Sequence, residues 1–178
     1  VIEESLHRKS TARLFWPEGC SDGWTIQREN GISYGLDVTR SMFSSGNGTE
    51  KARVSQFDCC GKVVVDLYAG IGYFSLPYLV HANAQHLHAC EWDDDALKAL
   101  AHNVRANGVE GRCTIHAGDN LHAVISIARA VAAQRMDSKG TDTHPPSKQR
   151  RHSTRRGQLL LWTTHPPSIS RLRALRIT

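Results

Sequence analysis

One stretch constrains the fold more than any other: residues 63–74 read V-V-V-D-L-Y-A-G-I-G-Y-F. An apolar, β-branched run without alternation, such as Val63 to Val65, is typical of a parallel strand covered on both faces. Gly70 and Gly72 then allow a sharp backbone turn and leave no side chain between that turn and a ligand. The stretch predicts a βα unit of a parallel α/β sheet, with a ligand-binding turn at the strand end.

Polar side chains follow two further predicted strands. A G-x-G turn alone is as compatible with a plain βα connection as with a ligand site. Glu91, however, lies 19 residues beyond Gly72 at a second strand end, where dinucleotide-binding folds place a carboxylate on the ribose hydroxyls. A third strand, Cys113 to Ala117, precedes Asp119 and Asn120, which suit the edge of an adenine, although solvated strand-end charge is the simpler alternative. Together the strand ends predict one nucleoside-binding crevice.

The segments between these strands predict helices. Phe74 to Ala82 is a short helix with Pro77 in its first turn. Asp93-Asp94-Asp95 places negative charge at the start of a longer helix, which Asn107-Gly108 ends. Gly31 to Thr39 is predicted to be a half-buried strand. Arg40 to Arg53 is predicted to be a turn that leads into a charged helix, and Leu121 to Arg135 an amphipathic helix.

Composition limits the class of protein. A chain of 178 residues with 40% hydrophobic content suits one domain with its own core. It has no apolar run long enough to span a membrane and no secretory leader, so no membrane partner is expected. The five cysteines are odd in number and form no C-x-x-C pair, which favours reduced thiols and a cytoplasmic location.

A possible metal site lies on the second predicted strand. His86, His88 and Cys90 alternate there and would share one face of the sheet. Three such residues on one strand are more often packed neighbours than metal ligands. The sequence therefore predicts no metal.

Charge is divided unevenly along the chain. Residues 1–120 hold 11 Lys/Arg against 15 Asp/Glu, a net −4, whereas residues 121–178 hold 11 against 2, a net +9. The tail beyond Arg135 is rich in Ser, Thr, Pro and Arg, a composition that favours disorder. This tail is either an arm that contacts RNA phosphates or, more simply, a solvated segment with no binding function.

Several long sequence segments, in the same order along the chain, resemble one known family. They are residues 29–54, E-N-G-I-S-Y-G-L-D-V-T-R-S-M-F-S-S-G-N-G-T-E-K-A-R-V, then V-V-D-L-Y-A-G-I-G-Y-F-S-L-P-Y, H-A-C-E-W and I-H-A-G-D-N. These words resemble the tRNA wybutosine-synthesizing protein 2 enzymes and, less closely, the tRNA guanine-N1 methyltransferases. The resemblance runs from about Gly31 to Asn120.

The resemblance implies a fold and an activity. The fold is the Rossmann-like α/β fold of class I S-adenosylmethionine-dependent transferases. The enzymes transfer the 3-amino-3-carboxypropyl group of S-adenosylmethionine to 4-demethylwyosine, next to the anticodon of phenylalanine tRNA. Transfer of that group depends on which carbon of the sulfonium points at the base. No catalytic acid or base is identified, although Asp66 or Tyr73 could assist.

Five cofactor-binding residues follow from the same resemblance. Ser44 and Lys51 are implied to hold the cofactor, with the ammonium of Lys51 at its carboxylate. Glu91 is implied to bind the ribose hydroxyls, and Asp119 with Asn120 the adenine. The resemblance thus assigns to three of these positions the roles that the strand ends suggest.

Beyond Asn120 the chain departs from the family. Family members continue into a fourth strand beside the first, and without it Val63 to Leu67 would expose an apolar edge that invites aggregation. The segment Gln158 to Trp162 is a weak candidate for that strand. The fold is therefore expected to be incomplete in its C-terminal half, as in a truncated or frame-altered product.

The expected organisation has three parts. Residues 1–30 are a remnant of an N-terminal region, 31–120 form the S-adenosylmethionine-binding α/β domain, and 121–178 form an atypical basic tail, largely disordered. Two alternatives to the transferase stay open at this point. They are a tRNA guanine-N1 methyltransferase and an inactive fragment that binds RNA weakly through its tail.

Overall fold

The computed structural model describes residues 10, 12–14, 23–137, 159–162 and 173–175. Strands and helices alternate through most of these ranges. The strands are β1 (Trp24–Glu29), β2 (Ile32–Asp37), β3 (Val63–Asp66), β4 (His86–Glu91), β5 (Cys113–Ala117), β6 (Leu159–Trp162) and β7 (Arg173–Leu175). The helices are α1 (Gly48–Ser55), α2 (Ser75–Val80), α3 (Asp94–Ala106) and α4 (Asn120–Asp137).

The main sheet has the strand order β5-β4-β3-β6-β7. The first four strands of that order run parallel, and β7 is antiparallel to β6. The run Val63 to Val65, in which Val64 and Val65 are fully buried, thus lies at the centre of a parallel sheet, as its lack of alternation predicts. From β3 the chain adds β4 and β5 on one side of the sheet and then adds β6 on the other side of β3. This reversal of strand order makes the edge next to β3 a topological switch point, where open α/β sheets bind ligands.

The partner of β3 on its second edge is β6. The register pairs Val63 with Leu159 and Asp66 with Trp162. The strand candidate in 158–162 is therefore confirmed, and the exposed apolar edge expected for 63–67 does not form. The predicted disorder of the rest of the tail falls mostly on 138–158, 163–172 and 176–178, outside the described residues.

The chain before the main sheet forms a β1–β2 hairpin. The predicted half-buried strand is confirmed as β2, with Ile32, Tyr34 and Leu36 all buried in the core. The strand β1 has no counterpart among the sequence predictions, because five of its six residues are exposed and its apolar pattern is short. The predicted division at residues 31 and 120 stays a prediction, since β1 precedes the first boundary and α4 crosses the second.

Helix α3 closes the open edge of this hairpin. The Asn103 side chain accepts a hydrogen bond from the backbone N–H of Gly35 at 2.6 Å and donates to the Gly35 carbonyl at 3.0 Å. One helical turn later, Asn107 makes the same pair of contacts with Ser33, at 3.0 and 2.8 Å. Four residues of a helix and two residues of a strand both advance by about 6 Å along their axes, so the spacing of the two asparagines matches that of Gly35 and Ser33. Their side chains therefore make the hydrogen bonds to β2 that a neighbouring strand would make.

The helix boundaries follow the predicted signals. The carboxylate of Asp93 accepts from the N–H groups of Asp95 and Ala96, which caps the start of α3. Pro77 lies in the first turn of α2, where no helical N–H is lost. The predicted helix after Asn120 is confirmed as α4, and it packs Ile127 against the buried face of β3 and β4.

The histidines of β4 bond to β5. His86 Nε2 lies 2.9 Å from Thr114 Oγ1, and His88 Nδ1 lies 3.0 Å from His116 Nε2. Burial, together with the neighbouring histidines, lowers the pKa of His88 to about 4, so this ring is neutral at neutral pH. Within the described residues, no three His, Cys, Asp or Glu side chains are arranged to hold a metal ion. Every helix in the described ranges is too short or too polar to cross a membrane.

Candidate nucleoside-binding site

The turn after β3 requires glycine at two positions. Gly70 has φ +55° and Gly72 has φ +100°, both in the region that favours glycine. A Cβ at position 72 would also lie 3.1 Å from Leu100 Cδ1 and 3.2 Å from Leu76 Cγ. The backbone conformation of the turn therefore favours glycine at both positions, and its packing against α2 and α3 leaves little room for a side chain at position 72.

Glu91 at the end of β4 joins this turn to the neighbouring strand. One carboxylate oxygen accepts from the Gly70 N–H at 2.7 Å, and the other accepts from the N–H groups of Trp92 and Asp93 at 2.8 and 3.0 Å. A carboxylate has about four acceptor positions, so capacity for another donor remains. Glu91 is thus oriented by the backbone, with its acceptor side available to a hydroxyl.

A cavity of about 220 Å³ opens beside Glu91. This volume is smaller than the range of about 300–1,000 Å³ that encloses drug-sized ligands, so the cavity suits one end of a nucleoside-sized molecule. It lies at the carboxyl ends of the parallel strands, the predicted edge of the sheet. Its lining residues are Leu67, Tyr68, Cys90, Glu91, Trp92, Gly118 and Asn120.

Asp119 and Asn120 follow β5 at the same edge. The Asn120 amide donates to the Leu67 carbonyl at 3.0 Å, which orients this side chain at the cavity wall. The Asp119 carboxylate accepts from the Leu121 N–H at 2.7 Å and thereby caps α4. Asn120 lines the cavity, whereas Asp119 is exposed beside it.

Ser44 and Lys51 do not line the cavity. Both residues contact Tyr73, which directly follows Gly72 and connects them to the glycine turn. The Tyr73 hydroxyl accepts from the Ser44 N–H at 3.0 Å and donates to the Met42 carbonyl at 2.5 Å. Burial raises the pKa of Tyr73 to about 12, so the hydroxyl keeps the proton that it donates. Tyr73 therefore ties the Ser44 loop to the glycine turn.

The ammonium of Lys51 lies in a largely aromatic environment. Its Nζ is 5.3 Å from the ring centroid of Tyr34, 5.0 Å from that of Phe43 and 5.6 Å from that of Tyr73. The same Nζ donates a short hydrogen bond to a carboxylate oxygen of Glu29. Rings and carboxylate together compensate a cation that is almost fully buried.

Sequence reasoning did not assign Tyr68, Trp92 or Glu29 to the site. Tyr68 and Trp92 line the cavity although about half of each is exposed, and Glu29 pairs with Lys51. Trp92 directly follows Glu91, so the sequence places it at the same strand end as Glu91. No local pattern links Glu29 to Lys51, since 22 residues separate them.

Asp66 lies beneath the turn and is fully buried. It accepts from the Ser75 hydroxyl at 2.8 Å and from the Tyr68 N–H at 3.3 Å. Burial, with a smaller contribution from the negative charge of Glu91, raises the pKa of Asp66 from 3.8 to about 6. The last residue of β3 therefore ionises close to neutral pH.

The raised pKa of Asp66 predicts a pH-dependent stability. Because the folded state favours the protonated acid, its contribution is fully present below about pH 4 and is lost as the pH rises through about 6. The free energy of unfolding of the wild type, relative to Asp66→Asn, should fall by up to about 3 kcal/mol between those limits. Denaturant unfolding of both proteins at pH 4 and pH 7 measures this difference. A difference that is constant with pH would contradict the assignment.

Comparisons with known proteins decide the lineage. Residues 25–137 match the TRM5/TYW2 methyltransferase domain family. The chain belongs to this family. The family region includes the glycine turn and the carboxyl ends of β3, β4 and β5.

One curated relative is much longer than the region that it shares with this chain. The tRNA wybutosine-synthesizing protein 2 homolog of Danio rerio is 63% identical over 98 residues, which are 55% of this chain and 24% of that protein. The chain thus spans about a quarter of the length of this curated relative.

Solved TRM5/TYW2 structures share the fold. P. horikoshii TYW2 in complex with MeSAdo has a TM-score of 0.52 and 40% identity, over 56% of this chain and 37% of that one. M. jannaschii TYW2 in complex with AdoMet has a TM-score of 0.52 and 32% identity, over 56% and 45%. The predicted Rossmann-like class I S-adenosylmethionine-dependent transferase fold is confirmed. Its incompleteness in the C-terminal half stays a prediction.

Proposed function

We propose that this chain is the cofactor-binding part of an S-adenosylmethionine-dependent tRNA aminocarboxypropyltransferase of wybutosine biosynthesis. The 3-amino-3-carboxypropyl group would pass to 4-demethylwyosine beside the anticodon of phenylalanine tRNA, in the cytoplasm. The observation that carries the proposal is Glu91, oriented by three backbone N–H groups at the rim of a cavity that Asn120 also lines. The names of the TYW2 relatives support the choice of reaction.

The side chains present fit the cofactor. Glu91 would accept hydrogen bonds from the ribose hydroxyls. Backbone N–H groups hold both of its oxygens in place, and its carboxylate can still accept a further hydrogen bond. Asn120 in the cavity wall and Asp119 beside the cavity would bind the adenine edge. Ser44 and Lys51, which both contact Tyr73 next to the glycine turn, would hold the aminocarboxypropyl arm, with the Lys51 ammonium at its carboxylate.

When bound, S-adenosylmethionine supplies three electrophilic carbons around its sulfonium. The residues of this chain would select among them by orientation, because only a carbon aligned with the base reacts. Lys51 and Ser44 would direct the γ-carbon of the arm towards the base. A bond from the base to that carbon would form, its bond to sulfur would break with the electron pair staying on sulfur, and the base would lose a proton.

Two alternatives differ in what reaches the tRNA. A tRNA guanine-N1 methyltransferase, from the TRM5 side of the family, would transfer the methyl group. An inactive fragment would transfer neither group, and any weak RNA binding would come from the basic tail.

Labelled donors test the proposal. The chain is incubated with tRNA that carries 4-demethylwyosine and with S-adenosylmethionine labelled either at the methyl or at the carboxyl carbon. We expect carboxyl label in the tRNA and methyl label in released methylthioadenosine. Methyl label in the tRNA would favour the methyltransferase. Calorimetry that detects donor binding, with no label transferred, would identify a binding fragment.

A further inference from the structure

The pair of Glu29 and Lys51 is a charged feature that the proposed reaction leaves unexplained. Lys51 lies on α1 and Glu29 at the end of β1, and their side chains are 6% and 27% exposed. An ammonium at this depth is destabilising unless an anion compensates it. Glu29 is that anion in the ligand-free chain, although the same ammonium is the group proposed to hold the donor's carboxylate.

The ammonium can engage a second carboxylate. A lysine ammonium has three donors, and within the described residues Glu29 is its only hydrogen-bond acceptor. The rings of Tyr34, Phe43 and Tyr73 attract the charge without accepting conventional hydrogen bonds. Lys51 therefore keeps both donor capacity and a fixed position next to the glycine turn.

We propose that Glu29 is the exchangeable counter-ion of Lys51. It pairs with the ammonium when no ligand carboxylate is present, and it gives up that pairing, fully or in part, when the carboxylate of the aminocarboxypropyl arm arrives. This inference rests on the proposed function. It makes Glu29 a residue that determines specificity, since its charge sets how strongly the site prefers a ligand with a carboxylate to one without.

The exchange fits the change in charge over one turnover. The donor brings a carboxylate, whereas methylthioadenosine, the product that stays in the cofactor site, has none. An internal carboxylate returns to Lys51 once the arm has left on the tRNA, so the buried cation is compensated at each stage. Glu29 also competes with the arm and keeps the arm's carboxylate from being held too tightly for release.

Two ligands that differ only in the carboxylate test this role. Calorimetry on this chain measures the Kd of S-adenosylmethionine and of decarboxylated S-adenosylmethionine. We expect Glu29→Gln to bind S-adenosylmethionine about tenfold more tightly, because a competing charge is removed, and to bind the decarboxylated ligand as the wild type does. Glu110→Gln, an exposed carboxylate-to-amide change in the turn before β5, is the matched control and should alter neither Kd.

A second pair of variants serves if Glu29→Gln is unstable, since that change leaves a buried cation without its partner. Lys51→Met leaves Glu29 without its cation, and Lys51→Met with Glu29→Gln removes both charges. We expect the double variant to bind S-adenosylmethionine more tightly than Lys51→Met, because only the single variant keeps a carboxylate that repels the ligand. The two should bind the decarboxylated ligand equally.

The outcomes separate this inference from the proposed function. If Glu29→Gln, or the double variant relative to Lys51→Met, shifts both ligands by the same factor, Glu29 has only a structural role and the inference is overturned. If the wild type binds neither ligand, the proposed function itself fails, and the inference fails with it.

Discussion

Replacing Asn103 with alanine is expected to lower the free energy of unfolding by about 4 kcal/mol. Its side chain is fully buried and makes three hydrogen bonds to backbone groups. Two go to the N–H and carbonyl of Gly35, and the third goes to the carbonyl of Ile71 in the glycine turn, at 2.9 Å. Alanine would leave all three backbone groups buried without partners, each at about 1–3 kcal/mol before relaxation.

Asn107 offers the matched control. It makes the same pair of contacts with Ser33, but it is only partly buried, so water can replace its lost hydrogen bonds. We expect Asn107→Ala to cost about 1 kcal/mol. Chemical denaturation of the wild type and both variants measures these values. Equal costs for the two variants would contradict the view that burial, rather than the number of contacts, makes Asn103 important.

The second large effect is expected at Glu91. Replacement with alanine should weaken S-adenosylmethionine binding about a thousandfold, or about 4 kcal/mol. The change removes the charged group proposed to accept from the ribose, and charge-assisted hydrogen bonds contribute about 1.5–3 kcal/mol each. It also releases the Gly70 N–H, which Glu91 holds at 2.7 Å, so the glycine turn loses a fixed contact.

Glu91→Gln separates these two contributions. The amide keeps one oxygen for a backbone N–H and loses the charge, so we expect an intermediate loss of about tenfold to a hundredfold in the Kd. Calorimetry with S-adenosylmethionine measures both variants, and circular dichroism checks that each is folded. Because the charge of Glu91 contributes to the raised pKa of Asp66, Glu91→Gln should also lower that pKa. An unchanged Kd in Glu91→Ala would remove Glu91 from the site.

Much of the site was predictable because its signals are local. The run Val63 to Val65 indicates a buried parallel strand, and the positive φ angles of Gly70 and Gly72 explain why glycine follows it. Carboxyl ends of parallel strands meet at one edge of a sheet, so Glu91 and Asn120 could be placed near each other from sequence alone.

The sheet's second half was harder to predict. Leu159 to Trp162 is four residues long and carries no period that distinguishes a strand from a short apolar segment. It becomes a strand because the open edge of β3 offers unpaired backbone groups to it. The exposed edge expected for 63–67 was wrong for this reason: the pairing partner comes from outside residues 25–137, the region that matches the family.

The sequence alone determined the strand-end chemistry: a glycine turn, an acid on the next strand, and an Asp-Asn pair after the third. Each depends on residues adjacent in the chain, where backbone preference and side-chain type act directly. Only the tertiary structure decided that Asn103 closes the edge of β2, and that Lys51 is paired with Glu29 among three rings. Those contacts join residues 68 and 22 positions apart, and burial, which no local pattern encodes, makes them strong.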